Sequence, residues 1–209
     1  EQGSALVGAA AALKTTTGRI GFIGGVAGLG LIEKFQAGYE FGAQFVNPDI
    51  EIDVTYLTEF PDFAGFSDPA KGKEAALAQY EGGADIVYHA AGGSGAGVFE
   101  AAKETSESTG TKVWAIGVDS DQFLTAGAEV QEYILTSMLK RVDTAVYSTI
   151  EKYIAGNETL GGVTVLDLAA DGVGYSTSGG FVDDITDQLD ELRLAIVSGE
   201  VTVPDAPAG

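Results

Sequence analysis

The chain has 209 residues, 45% of them hydrophobic, with 30 glycines and 5 prolines; this length can bury a real core and the composition excludes a disordered or fibrous chain. Thirty-one acidic against eleven basic side chains give a formal charge of −20, which repels nucleic-acid phosphates and anionic membrane surfaces and argues against a polyanionic partner. Cysteine is absent, so disulfides, thiolate metal sites and cysteine nucleophiles are excluded.

The chain opens with Glu1-Gln2-Gly3-Ser4 running straight into the apolar stretch Ala5 to Leu13, which predicts a buried helix with little before it and reads as a chain whose beginning was removed. No basic segment followed by an apolar one marks a secretion signal, and no run of about 18 apolar residues offers a membrane span. Arg19 to Gly24 predicts a strand. Residues 28 to 46 then carry Leu31, Phe35, Tyr39 and Ala43 at helical spacing. Ile50 to Tyr56 alternates as a strand does, and Asp68-Pro69 supplies an N-cap and a first-turn proline for a helix running to about Gly82. Ala84 to Tyr88 predicts the next strand, Gly93 to about Glu107 a helix, and Lys112 to Val118 another strand, with one more over Tyr133 to Ser137. Beyond these, the pattern predicts a helix from about Leu139 to Ala155, a strand near Val163 to Ala169 and an amphipathic helix from about Val182 to Val197.

Strands alternating with helices predict right-handed crossovers and a mostly parallel sheet, hence the α/β class. Ligands of open parallel sheets sit beyond the carboxyl ends of the strands, which directs attention to the loops after Phe22, Tyr56, Tyr88 and Val118. The acids are scattered over the chain, as in Glu100, Glu104, Glu107 and Asp183, Asp184, Asp187, and this excess fits a protein kept soluble in high salt.

Five ordered segments carry a family resemblance: Gly21 to Gly25 (GFIGG), Gly65 to Lys73 (GFSDPAKGK), Ala90 to Ala102 (AAGGSGAGVFEAA), Ile116 to Gln122 (IGVDSDQ) and Thr136 to Asp143 (TSMLKRVD). Together they resemble the basic membrane protein family of solute-binding lipoproteins, the purine-nucleoside receptors of ABC importers, from about Gly3 to Gly199. The resemblance implies a periplasmic-binding-protein-like α/β fold of two lobes with the ligand closed between them. For this chain it implies one nearly complete lobe plus part of a second: residues 1–18 a helical remnant of the first lobe, 19–138 the main lobe, and 139–209 a crossover helix, a first-lobe strand and the C-terminal helix. The family's early Asp-Gly-rich ligand loop has no counterpart here.

The same resemblance implies that Phe66 stacks on the base, that Gly92 lets the backbone approach the nucleoside, and that Asp119 and Lys140 hold the ribose hydroxyls. Those residue types suit the task, since a carboxylate accepts from a vicinal diol, an ammonium donates to it, and an aromatic face stacks on a purine for roughly 1–3 kcal/mol. Ser67 stands where the family usually has asparagine. Implied partners are a nucleoside and a transporter permease, with no cofactor, an extracytoplasmic location, and membrane attachment only through a lipid anchor that this chain lacks.

Read without the resemblance, Phe66 is a core or rim aromatic, Asp119 is as much a site residue as a turn residue, and Lys140 is a solvated helix residue. His89, the one histidine, reads as a packed or hydrogen-bonded side chain, with no nucleophile or metal cluster to join. Two further readings stay open. Gly92 to Gly97 (GGSGAG) after a strand, with Asp119 ending the next, imitates the phosphate loop of a dinucleotide-dependent enzyme, although the spacing is G-x-G-x-G. A structural lipoprotein fragment that binds no small molecule is the other.

Overall fold

A computed structural model describes residues 1–156 and 161–208. Six strands form one sheet in the order β2-β1-β3-β4-β5-β6: β1 is Arg19–Ala27, β2 Glu51–Glu59, β3 Ile86–Ala90, β4 Trp114–Asp119, β5 Ile134–Lys140 and β6 Val173–Tyr175. The first five run parallel, and β6 joins β5 antiparallel through Met138↔Tyr175 and Lys140↔Val173. Strand order reverses at β1, where the connection to β2 leaves on one side and that to β3 on the other. Such a switch point opens a crevice at the carboxyl ends of the neighbouring strands.

Side chains alternate across the sheet and sort into two cores. Ile20, Phe22, Ile86, Tyr88, Ile116 and Met138 face α1 (Gln2–Lys14), α2 (Gly30–Val46) and α7 (Thr186–Ser198), whereas Ile23, Val87, Ala115 and Ile134 face α3 (Pro69–Glu81) and α4 (Gly95–Thr109). The helices follow from their sequences. Asp68 accepts from the Lys71 amide at 3.0 Å and Pro69 occupies the first turn of α3, while Gly110 in a left-handed conformation ends α4. In α2, Ile32, Phe35, Tyr39 and Ala43 line the buried face.

α1 is apolar on every side and its residues Gly3 to Ala11 are all buried, as an all-round apolar helix must be. It lies against α2 so closely that a Cβ on Gly42 would collide with the Ala5 carbonyl oxygen. Residue 18 is therefore no packing boundary: α1 belongs to the core of the same α/β unit as the strands that follow, because its small side chains let two helix backbones touch.

Two other expectations change. The helix expected from about Leu139 begins at Val142, because Leu139 and Lys140 are held in β5 by pairing with Asp119 on one side and β6 on the other. The apolar period of the helix happens to extend backwards over Leu139, which is what the pattern reads. The strand expected near Val163 to Ala169 does not form among the described residues. Val163 and Val165 are 94% and 74% exposed with no sheet edge beside them, and the strand that does form lies later, at Val173–Tyr175.

α6 (Val142–Ile154) buries none of its residues. Val142, Val146, Tyr147, Ile150, Tyr153 and Ile154 fall on one helical stripe and each is more than half exposed.

Candidate functional site

The four residues singled out from the sequence come together. Phe66, Gly92, Asp119 and Lys140 line one cavity of about 230 Å³ at the carboxyl ends of β1, β3, β4 and β5, with Leu29, Leu31, Ile32, Phe35, Ala90 and Val118 completing its wall. Of the larger hollows, one of about 370 Å³ shares Gly92 with it, and one of about 600 Å³ is walled by Lys73, Glu100, Lys103, Glu104, Glu107 and Glu129 with Val130, a largely ionic surface.

Phe66 ends a short 3-10 turn, Phe63–Phe66, whose start is capped by Asp62 accepting from the Ala64 amide at 2.9 Å. The turn is clamped by Ser94, a buried hydroxyl that donates to the Gly65 carbonyl and accepts from the Asp68 amide, both at 2.8 Å. One side of the Phe66 ring is backed by Phe63, stacked at 6.5 Å between centroids. Its edge rests on Gly25, where any Cβ would meet the ring. The last glycine of GFIGG thus leaves the room that the Phe66 ring occupies.

Gly92 has φ +53°, and a Cβ there would come within 3.2 Å of the Phe66 carbonyl oxygen. Both facts favour glycine, the first because L side chains rarely adopt that conformation. The loop that follows is a 3-10 turn, Gly92–Ser94, before α4 begins.

Asp119 carries φ +68° and the amide of the next residue, Ser120, donates to the carbonyl of Val118 at 2.8 Å. This is a γ-turn of the rare positive-φ hand, which turns the carboxylate out of the sheet at the end of β4. Its partner is Lys140, whose Nζ lies 3.7 Å from Asp119 Oδ1, with both side chains about half exposed. The ammonium also stands 6.0 Å from the centre of the Phe35 ring. Loose and hydrated, the pair keeps lone pairs and N–H donors free for hydroxyl groups.

Among residues the sequence did not mark, Gln122 is the most connected. Its Oε1 accepts from the Val118 amide at 2.7 Å and meets His89 Nε2 at 3.1 Å, and its backbone N–H donates to Ser137 Oγ at 3.1 Å. Because the Val118 amide is a donor, Gln122 must present its oxygen, and His89 must carry its proton on Nε2. His89 Nδ1 is then a buried acceptor without a partner among the described residues. Burial holds the imidazole neutral and lowers its pKa to about 4. Gln122 was visible only as the last letter of IGVDSDQ.

The site therefore offers an aromatic face, an apolar wall, a close backbone approach and a carboxylate–ammonium pair. It offers no nucleophile with a base in reach, and no group of three or more potential metal ligands occurs among the described residues.

Comparison with known proteins gives the family. Residues 1–207 match the family model described as ABC transporter substrate-binding protein PnrA-like. The chain is 38% identical over 213 residues to a CD4+ T-cell-stimulating antigen of Listeria monocytogenes, covering 98% of this chain and 57% of that protein. It is 37% identical over 206 residues to the ABC transporter nucleoside-binding protein BmpA of Lactococcus lactis, covering 95% and 56%. The chain thus spans little more than half the length of these relatives. Among solved structures, an ABC transporter solute-binding protein from Aeropyrum pernix superposes with a TM-score of 0.76 at 26% identity, covering 97% of this chain and 64% of that one. The dinucleotide-enzyme reading of the glycine loop gives way here, since the family model, the Lactococcus relative and the Aeropyrum structure are all described as ABC transporter proteins and the loop packs against Phe66. The chain belongs to the PnrA-like family of ABC transporter substrate-binding proteins.

Proposed function

We propose that this chain forms the greater part of an extracytoplasmic receptor that binds a purine nucleoside between two lobes and delivers it to the permease of an ABC importer. The observation that carries the reading is the convergence of Phe66, Gly92, Asp119 and Lys140 on one cavity. A ring stacks on the face of Phe66 beside Gly92, and the ribose diol donates to Asp119 while accepting from Lys140. The printed name of the Lactococcus relative, a nucleoside-binding protein, supports the ligand class.

Two features support the two-lobe part of the reading. The cavity of about 230 Å³ is smaller than the roughly 300–1,000 Å³ of a complete small-molecule site, as half a cleft would be. The bare apolar stripe of α6 also calls for a covering surface, and we assign α6 to the crossing toward the other lobe. In the whole protein, attachment is through a lipid anchor; no helix among the described residues is long and apolar enough to cross a membrane.

The test is calorimetry on the whole protein with inosine and with its free base, hypoxanthine. Binding with the ligand recovered intact is the expected result. Asp119→Ala should weaken inosine about tenfold or more, since charge-assisted hydrogen bonds contribute on the order of 1.5–3 kcal/mol each, and should leave hypoxanthine within about threefold. Lys140→Ala should show the same pattern more mildly, and Lys73→Ala, engaged with Glu100 and Glu104 away from the cavity, should show none. Release of free base from inosine would make the protein an enzyme, and equal losses for inosine and hypoxanthine would remove the diol role of Asp119.

A further inference from the structure

The strands that end at the cavity are joined behind it by one residue. The Gln122 side chain reaches β4 through the Val118 amide at 2.7 Å and β3 through His89 Nε2 at 3.1 Å, and its backbone amide anchors it to β5 through Ser137 Oγ at 3.1 Å. Each of these partners lies within three residues of a site residue on its own strand or loop: Val118 before Asp119, His89 before Gly92, Ser137 before Lys140. We propose that Gln122, supported by His89, is the positioning residue of the site: it holds the strained turn that aims the Asp119 carboxylate and sets its distance from Lys140.

The turn supplies the reason such support is needed. A non-glycine residue at φ +68° costs on the order of 1–3 kcal/mol and persists only where its surroundings over-determine it. Val118, the residue before it, is fixed at both backbone groups, its amide by Gln122 and its carbonyl by the Ser120 amide at 2.8 Å. Without the first bond the end of β4 can relax toward negative φ, and the carboxylate then swings away from Lys140. Space enforces the same arrangement. A Cβ on Gly117 would come within 2.6 Å of Gln122 Oε1 and 2.7 Å of Ser137 Oγ, and a Cβ on Gly95 would strike the His89 ring. Two glycines thus leave room for the amide and the imidazole, neither of which lines the cavity of Phe66, Gly92, Asp119 and Lys140. His89 is 0% exposed, so its contribution is to saturate the Gln122 oxygen and lock its rotamer. In this arrangement Gln122 does not contact ligand; it acts through Asp119.

The proposal rests on Asp119 holding the ribose, and the experiment separates the two. In the whole protein, Gln122→Met keeps the length and volume of the side chain and removes the acceptor, while Gln122→Glu keeps an oxygen for both donors. Inosine and hypoxanthine are titrated against parent, both variants and Asp119→Ala, and amide hydrogen exchange is read at Ser120. The expected result is a loss of about tenfold for inosine and under about threefold for hypoxanthine in Gln122→Met, recovery to within about threefold of parent in Gln122→Glu, and faster exchange at Ser120 in the methionine variant alone. Inosine binding by Gln122→Met at parental strength, while Asp119→Ala loses it, overturns the positioning role and leaves the proposed function standing. Parental inosine binding by Asp119→Ala overturns both. If Gln122→Met does not fold, Gln122→Glu decides: a folded glutamate variant with parental Ser120 exchange but lost inosine binding contradicts the proposal, because the acceptor is then present and not sufficient.

Discussion

The imidazole of His89 is fully buried and, among the described residues, hydrogen-bonded only through Nε2, so a second proton would have to sit on Nδ1 with no acceptor there to receive it. Its pKa falls from 6.5 to about 4 for that reason, desolvation outweighing the bond to Gln122. A base with a lower pKa folded than unfolded binds its proton preferentially in the unfolded chain. The stability it contributes is complete above pH 6.5 and is lost as pH falls toward 4, by roughly 3 kcal/mol at the lower end. Urea unfolding of the parent and of His89→Gln, which keeps an N–H donor but does not titrate, should diverge in slope across that window and run parallel above pH 7. Parallel curves throughout would mean that the imidazole finds water or relaxes when protonated. The candidate site divides at this scale too. Phe66, Gly92, Asp119 and Lys140 could be picked out because they belong to ordered motifs. Gln122 and Gly25 could not be given a role, since what they do depends on partners in other elements, Val118 and His89 for one and the Phe66 ring for the other.

Elements that make local structure from local pattern were legible. α2 to α4 and β1 to β5 lie where apolar periodicity, the Asp68-Pro69 cap and the glycine stops put them. Errors occur where pairing partners, not the segment's own residues, decide. Leu139 and Lys140 fit the helical stripe of α6 yet extend β5 because β4 and β6 flank them, and the alternating residues near Val163 find no edge to join. The place of α1 was likewise hidden, because its fixing depends on contacts distant in sequence. Asp85, on the loop before β3, accepts from Thr15 Oγ1 at 2.5 Å, from the Thr16 amide at 2.6 Å and hydroxyl at 2.8 Å, and from the Thr17 amide at 3.2 Å. One carboxylate thereby saturates the turn that leads from α1 into β1. Asp85→Ala should strand these donors at a site only 6% exposed and cost on the order of 3 kcal/mol, a drop of about 6–12 °C in melting temperature for a chain of this size. A change under about 2 °C in a thermal scan would show that water replaces the carboxylate and that α1 is held by its packing against α2 alone.

For the molecule as a whole, the fold and the charge are set separately: relatives named basic membrane proteins share this family, yet this chain carries −20. Nine of the eleven basic side chains, all but Lys71 and Lys152, already lie within 4.0 Å of a carboxylate among the described residues. Most of these pairs are exposed, as Lys34 with Asp205 and Lys112 with Glu132 are, and such pairs contribute about 0–1 kcal/mol each. The remaining acids have no cation to meet and repel one another across the whole surface. Added salt acts on both terms. It weakens the ion pairs, a small loss, and it shortens the range of repulsion from about 10 Å at 0.1 M to about 3 Å at 1 M, which removes most of a sum over many carboxylates. The second effect is the larger because each exposed pair contributes little, whereas the net excess of carboxylates repels collectively over the whole surface. The melting temperature should therefore climb as potassium chloride rises from 0.05 M to about 2 M, most steeply below about 0.5 M, where the screening length changes fastest. Sodium sulfate would strengthen apolar burial as well, so potassium chloride is the cleaner titrant. A scan that stays flat or falls over the same range would show that the ion pairs, and the bidentate grip of Arg19 on Asp53 above all, outweigh the repulsion, and the high-salt adaptation read from the composition would then be wrong.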